Sequence, residues 1–342
     1  MPLVSIIVPC RNEKPHLAAF AGSALAQKVP AGWALEIVIA DGMSDDGTRE
    51  ALAELAARDP RVRFVDNPAR IVSTGLNRAL AAAAGEVVVR MDVHTEYAPD
   101  YVAECLMALH LTGADNVGGP WRAVADPHGG PTLAAVAAAF QSRWVAGGAL
   151  SRQLDYDGLA DTVYLGAWPL RTFERFGGFD ETLVRNQDDE HNLRIVKGGG
   201  RVWQESRIRS AYRPRATLGQ VFRQYQQYGY WKPFVMKKHG RAARPRQAVP
   251  ALFIAALALF ALMAVVGWRF WPLALLLLAY AGAVGAMTVA VLRDVPQPWP
   301  VALRVPAVIA TYHVAYGIGT IVGAFDVLRG RPGRERFAKL SR

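Results

Sequence analysis

Leu3-Val4-Ser5-Ile6-Ile7-Val8-Pro9, followed at once by Cys10-Arg11-Asn12-Glu13, decides how the rest of the chain is read. A largely apolar, β-branched run of this length is a strand buried on both faces, and the polar turn marks its carboxyl end. Runs of strand length recur at residues 35–40, 62–66 and 86–91. Between them, Ala-rich stretches of helical character occupy residues 16–27, 48–58 and 74–84. Strand–helix–strand repetition with short connectors predicts an α/β fold with a doubly wound, mostly parallel sheet. Such sheets bind ligands beyond the carboxyl ends of their strands. The polar clusters lie there: Arg11-Asn12-Glu13, Asp41 to Thr48, and Asp92 to Glu96. No G-x-G-x-x-G follows the first strand and no G-x-x-x-x-G-K-[ST] occurs, so neither a dinucleotide unit nor a P-loop is expected.

Charge divides the chain in two. Residues 1–231 hold 24 Lys and Arg against 26 Asp and Glu, a net of −2; residues 232–342 hold 15 against 3, a net of +12. The whole basic excess therefore sits among long apolar runs, where it reads as a topology signal and as contact with anionic membrane lipid. No nucleic acid partner is expected, because a basic groove would have to lie on the soluble part. Cys10 and Cys105 stand in unrelated contexts and suggest neither a disulfide nor a zinc site, in keeping with a reducing cytosol. Residues 3–9 are too short for the apolar core of a signal peptide.

Residues 249–267 and 270–292 each have membrane-spanning length. Gly267-Trp268-Arg269 and Trp271-Pro272 between them make a turn with interfacial aromatics, so the pair reads as a helical hairpin. A third apolar segment, 301–328, carries Arg304, Pro306, His313 and several glycines. Lys232, Lys237, Lys238, Arg241, Arg244 and Arg246 precede the first span; Arg329, Arg331, Arg334, Arg336, Lys339 and Arg342 follow the third segment. Both clusters should face the cytosol, which requires an even number of crossings. Two spans with a re-entrant or interfacial third segment are favoured, three spans being the alternative. The expected domains are 1–235 catalytic, 236–248 a basic juxtamembrane linker, 249–328 the membrane module and 329–342 a basic tail.

Four clusters carry chemistry. Asp41-Gly42-Met43-Ser44-Asp45-Asp46-Gly47-Thr48 suits a uridine and its ribose, whose N–H and hydroxyl groups donate to carboxylates; it equally suits a capped helix start. In Arg90-Met91-Asp92-Val93-His94, period-two geometry would put Asp92 and His94 on one side of an extended segment. There they could share a divalent cation with diphosphate oxygens, imidazole favouring Mn²⁺ over Mg²⁺. Asn186-Gln187-Asp188-Asp189-Glu190-His191 concentrates bases, one of which could deprotonate an acceptor hydroxyl. On these grounds Asp188, Asp189 and Glu190 are equal candidates. Gln224-Tyr225-Gln226-Gln227-Tyr228-Gly229-Tyr230-Trp231 could stack on sugars and bind diphosphate, or form an interfacial aromatic belt.

In this order the clusters resemble the family 2 glycosyltransferases, inverting enzymes of the GT-A fold. The match runs through Val4 to Glu13, Asp41-Gly42-x-Ser44-x-Asp46-Gly47-Thr48 at the nucleotide-binding D-x-S-x-D-G-T, and Asp92-x-His94 at the D-x-D position. It continues through Gln187-Asp188 at the E-D motif and Gln227-x-x-Tyr230-Trp231 at a relaxed Q-x-x-R-W. Asn67 to Asn77, Asp161 to Ala167 and Asn186 to Arg194 are similar to succinoglycan-type exopolysaccharide transferases. His94 in place of the second Asp bears on metal identity, and Tyr230 in place of Arg speaks against a processive polymer synthase.

The resemblance implies Asp188 as catalytic base and Asp92 and His94 at a divalent cation, Mn²⁺ or Mg²⁺. It implies Pro9, Arg11, Glu13, Asp41, Asp46, Arg70, Asn77, Asp92, Gln227 and Trp231 around a UDP-sugar. Gly166, Trp168, Gln187, Asp189 and Glu190 fall on the acceptor side. The implied activity is inverting transfer to a polyprenyl-linked glycan at the bacterial inner (cytoplasmic) membrane, with a cytosolic catalytic domain, in exopolysaccharide or cell-surface glycan synthesis. Transfer to polyprenyl phosphate and a catalytically silent membrane scaffold are the alternatives.

Overall fold

The protein is described by a computed structural model covering residues 1–240, 245–267, 269–333 and 336–337. Arg241, Arg244, Trp268, Arg334, Lys339 and Arg342 lie outside the described residues. The chain divides into two compact units, one of Met1–Arg122 with Leu150–Arg213, the other of Ala123–Ala149 with Pro214–Arg342. The boundary expected at residue 235 falls inside a helix of the second unit, and an internal segment of the first half also belongs there.

The first unit opens with β1 (Leu3–Cys10), α1 (Lys14–Leu25), β2 (Ala34–Asp41), α2 (Thr48–Arg58), β3 (Val62–Asp66), α3 (Val72–Ala82) and β4 (Val87–Arg90). After β5 (Glu96–Tyr97), α4 (Tyr101–Thr112), β6 (Asn116–Gly119) and the short β7 (Arg122–Ala123), the chain leaves to form α5 (Gly130–Gln141) in the second unit. It returns through β8 (Gly158–Leu159), β9 (Tyr164–Pro169), α6 (Leu170–Phe176), α7 (Gln187–Lys197), β10 (Val202–Gln204) and β11 (Ser210–Tyr212).

Eight strands form one sheet in the order β3-β2-β1-β4-β9-β6-β10-β8. The four strands expected from the sequence are its parallel half, with Cys10 opposite Asp41 and Asp41 opposite Asp66. That register sets the polar turns after β1, β2 and β3 on one rim, as the crossover helices require. β9 runs antiparallel between β4 and β6, with a register shift against β6 between Val117 and Gly119. Ile7, Val38, Leu76, Val88, Trp168 and Ile195 are among the buried side chains that fill the core behind this rim.

The second unit contains α5, α8 (Leu218–His239), α9 (Val249–Val265), α10 (Trp271–Asp294), α11 (Trp299–Ala302) and α12 (Val305–Leu328). Three stretches, 246–265, 271–294 and 299–328, are long and apolar enough to cross a membrane. No side chain of α9 is buried, as suits a helix solvated by lipid, and Phe253 stacks on Tyr280 of α10 at 4.2 Å. α8 and α12 approach with small residues at the contact. A Cβ on Gly229 would overlap the Tyr316 carbonyl; on Gly319, that of Gln226; on Gly323, that of Tyr230. Small residues at such spacing let helix backbones meet closely.

Candidate active site

The turns after β1 and β2 are stitched together. The Asn12 amide donates to Ser44 Oγ at 2.9 Å, its side chain to Asp45 Oδ1 at 2.8 Å, and the Glu13 amide to Thr48 Oγ1 at 2.9 Å. Asn12 and Met43 hold left-handed backbones, φ 54° and 56°, which these bonds fix in place. Asp41 is fully buried and accepts from Ser44 Oγ at 2.5 Å and from Arg49 Nη1 at 3.0 Å; Arg49 also reaches Asp66 at 2.6 Å. Asp46 accepts from the Thr48 amide and hydroxyl at 3.0 and 2.5 Å and from the Lys14 amide at 3.3 Å. Burial works against its charge, but these hydrogen bonds prevail and hold its carboxyl below the usual range. Pro9, in the last residues of β1, and Arg11, on the turn after it, are half-buried. Arg70 is left-handed, φ 61°, beyond β3.

β4 stops at Arg90, and Asp92 to Thr95 form a turn closed by the Thr95 amide to the Asp92 carbonyl at 3.1 Å. Asp92 and His94 are therefore not placed by strand periodicity, as the sequence suggests. Asp92 is placed by Arg90, whose Nε and Nη2 reach its two oxygens at 3.0 and 3.1 Å, and by Tyr97, whose hydroxyl accepts from the Asp92 amide at 2.6 Å and donates to its carbonyl at 3.1 Å. His94, 47% exposed, sits 3.5 Å from Glu13. Among the described residues no three His, Cys, Asp or Glu gather into a metal cage. Each Asp92 oxygen still has a lone pair beyond its bond to Arg90, so the donor set fits a cation shared with substrate phosphates, the usual arrangement for Mg²⁺.

Arg90 is buried between acidic groups. Burial opposes its charge, yet the fields of Asp92 and then Asp188 outweigh it and hold the guanidinium charged. The carboxylate after β4 and the one in the first turn of α7 thus both act electrostatically on one buried cation. For Asp188, burial and then the adjacent Asp189 charge push the carboxyl above its ordinary range, against the pull of Arg90. Asp188 Oδ1 accepts from the Asp189 amide at 2.9 Å.

Its neighbours differ. Glu190 is fully buried and spends both oxygens on Arg194, at 3.2 and 2.6 Å. His191 lies stacked on Phe173 at 5.2 Å, its Nε2 beside the Gly177 carbonyl at 3.1 Å, and burial pushes the imidazole down to about 4. It is a neutral core residue.

Other expected residues fall in supporting places. Trp168 is buried among Phe173, Phe179 and His191. Asn77 binds the Phe179 backbone with both ends of its amide, at 2.8 Å each, clamping α3 to the loop before α7. Gly166 has φ 115° and lies against the Trp168 ring and Asn116, so no side chain fits there. Leu165 beside it is also left-handed, φ 64°, a strained state for a buried leucine. Gln187 is buried at the start of α7. Gln227 and Trp231 belong to α8 of the second unit and are both buried. Tyr230 donates to buried Asp326 of α12 at 2.9 Å, and Arg336 reaches the same carboxylate at 2.9 Å.

Three residues that position the site were not singled out by sequence. Arg90 precedes Asp92 by two, a spacing that could have marked it. Tyr97 and Asn116 carried no signal. Asn116 accepts from the Ala167 amide at 3.2 Å and donates to Asn192 at 2.6 Å, tying β6 and β9 to α7.

Residues 5–146 match the family described as Glycosyl transferase family 2. Over 266 residues the chain is 36% identical to the succinoglycan biosynthesis protein ExoA of Rhizobium meliloti (strain 1021), covering 77% of this chain and 78% of that protein. Among solved structures, the mannosyltransferase PcManGT from Pyrobaculum calidifontis in complex with GDP-Man and Mn2+ superposes with a TM-score of 0.54 at 20% identity, covering 98% of this chain and 88% of that one. S. aureus TarS 1-349 in complex with UDP-GlcNAc gives 0.50 at 14% identity, covering 97% and 93%. At those identities the likeness is one of fold, the GT-A type.

Proposed function

The chain belongs to the family 2 glycosyl transferases, and we propose that it moves a sugar from a UDP-sugar, with inversion, onto a lipid-linked glycan at the inner leaflet of a bacterial cytoplasmic membrane. Exopolysaccharide or cell-surface glycan synthesis is the pathway class, supported by the likeness to a succinoglycan biosynthesis protein. The observation that carries the reading is the Arg90 arrangement. The buried Arg90 guanidinium binds both oxygens of Asp92, on the leaving-group side, at 3.0 and 3.1 Å, and its charge also feels the field of Asp188, on the acceptor side.

The stitched turns at residues 11–14 and 41–48 form the uridine cradle, with Asp41 and Asp46 ordering its backbone. Asp92 and His94, with Glu13 beside them, would hold a divalent cation against the diphosphate. Such a cation, when bound, supplies a Lewis acid that neutralises charge on the departing UDP. Asp188 takes the proton from the acceptor hydroxyl as that oxygen attacks the anomeric carbon from the face opposite UDP. The bond to UDP breaks as the new glycosidic bond forms, so one displacement inverts the configuration. An elevated carboxyl makes Asp188 a stronger base at neutral pH than an ordinary Asp.

The test is transfer by the purified full-length chain from a panel of UDP-sugars to a polyprenyl-diphosphate glycan, with Mn²⁺, Mg²⁺ or chelator. Inverted product that requires both cation and Asp188 is expected. Undiminished transfer in excess chelator, or a retained anomeric configuration, overturns the reading.

A further inference from the structure

We infer that α12 does not cross the bilayer but lies with α8 along the membrane surface, its outer face against the lipid headgroup and acyl boundary. From Tyr312 to Asp326, α12 is paired with α8. The Tyr225 and Tyr312 rings stack at 4.1 Å, the glycine contacts bring the backbones together, and Tyr230 donates to Asp326 at 2.9 Å. That paired stretch is about 21 Å of helix axis, most of the roughly 30 Å hydrocarbon core.

α8 is no membrane span. It carries Arg223, Gln224, Gln226, Gln227, Lys232 and Lys237. A spanning α12 would hold this polar helix beside it in hydrocarbon, where charged and amide groups are costly. Lying flat removes the conflict, since the polar groups of α8 then stay out of hydrocarbon while the exposed apolar side chains of α12 meet lipid.

The outer face fits a lipid surface. Ile321, Phe325 and Leu328 are 37%, 49% and 85% exposed and recur at helical spacing. Arg329 places its guanidinium over the Phe325 ring at 3.9 Å, a cation seated on the edge of the apolar stripe, with exposed Arg331 beyond. Basic residues beside an apolar face favour anionic headgroups. The stripe is continuous in chain and unit with α9 and α10, both long and apolar enough to cross a bilayer. With α12 in the plane, Lys237 and Lys238 before α9 and Arg329 and Arg331 after α12 share one side, as their charge prefers. The inference does not depend on the transferase chemistry.

Full-length protein in membranes decides it. Cys10 and Cys105 are buried, so an impermeant maleimide reports introduced thiols. Val266→Cys, between α9 and α10, should label from one side, and Val295→Cys and Arg331→Cys from the other. In vesicles of phosphatidylethanolamine and phosphatidylglycerol, fluorophores on Ile321→Cys and Leu328→Cys should be quenched at one shallow depth by lipid-attached quenchers. Arg331→Cys labelling from the Val266 side, or Ile321 lying about 10 Å deeper than Leu328, as a spanning helix of 1.5 Å per residue demands, overturns the inference.

Discussion

Asp188, Asp189 and Glu190 share a chemistry but not an environment, and substitution separates them. Asp188→Asn preserves shape while removing the base, so kcat should fall by about 10²–10⁴, with nucleotide binding by calorimetry unchanged. Glu190→Gln should instead lower thermal stability by about 2–4 kcal/mol, since it leaves Arg194 without its buried partner. The pH profile carries the sign of the Asp188 shift. Its carboxyl is raised, so the acidic limb of kcat/KM should lie above the ordinary carboxylate value of about 4, with activity lost as pH falls through it. His191 works through stability. Its folded value of about 4 lies below the unfolded value of about 6.5, so the unfolded chain takes the proton first as pH falls. Stability is complete above about 6.5 and drops by about 3 kcal/mol towards pH 4, a slope that His191→Phe should flatten in denaturant titrations. At this scale the sequence left the three carboxylates level. What distinguishes them is Arg194 one turn along and Arg90 from another strand, and only the first of these is local in the chain.

Helices and strands show the same division between local and non-local causes. The parallel half of the sheet was legible because each strand is an apolar run and each connector a helix, and the observed bounds differ from the expected ones by about one or two residues. β9 was not. Tyr164 to Pro169 is apolar, but its antiparallel direction depends on two neighbours, and its left-handed Leu165 and Gly166 follow from packing against Trp168 and Asn116. The Asp92 turn was misjudged for a related reason, since nothing in Met91 or Val93 announces that β4 stops at Arg90. Between helices, the contact of α8 with α12 gives a direct prediction. Gly323→Ala gains about 1 kcal/mol of helix propensity but drives a methyl into the Tyr230 carbonyl, a clash worth about 1–3 kcal/mol or more. The overlap should win, and the melting temperature in detergent should fall.

Across the whole molecule, the charge split and apolar runs announced a membrane part from composition alone, whereas the interleaving of the two units was invisible. A fragment ending at residue 235, the expected catalytic domain, would retain α5 and most of α8 and lose α12. It should elute as aggregate in size-exclusion chromatography, because the face of α8 bearing Gly229 and Tyr230 is left bare. The excursion of Ala123–Ala149 also sets a schedule. α5 reaches its partner when the Tyr312 hydroxyl donates to the Val136 carbonyl at 3.1 Å, across 176 residues of chain. At about 5–20 residues per second, a ribosome supplies that partner between roughly 9 and 35 s after α5 emerges. For that interval an Ala-rich apolar helix waits without its partner, so the biogenesis of this enzyme should depend on a chaperone or on early capture of the nascent chain at the bilayer.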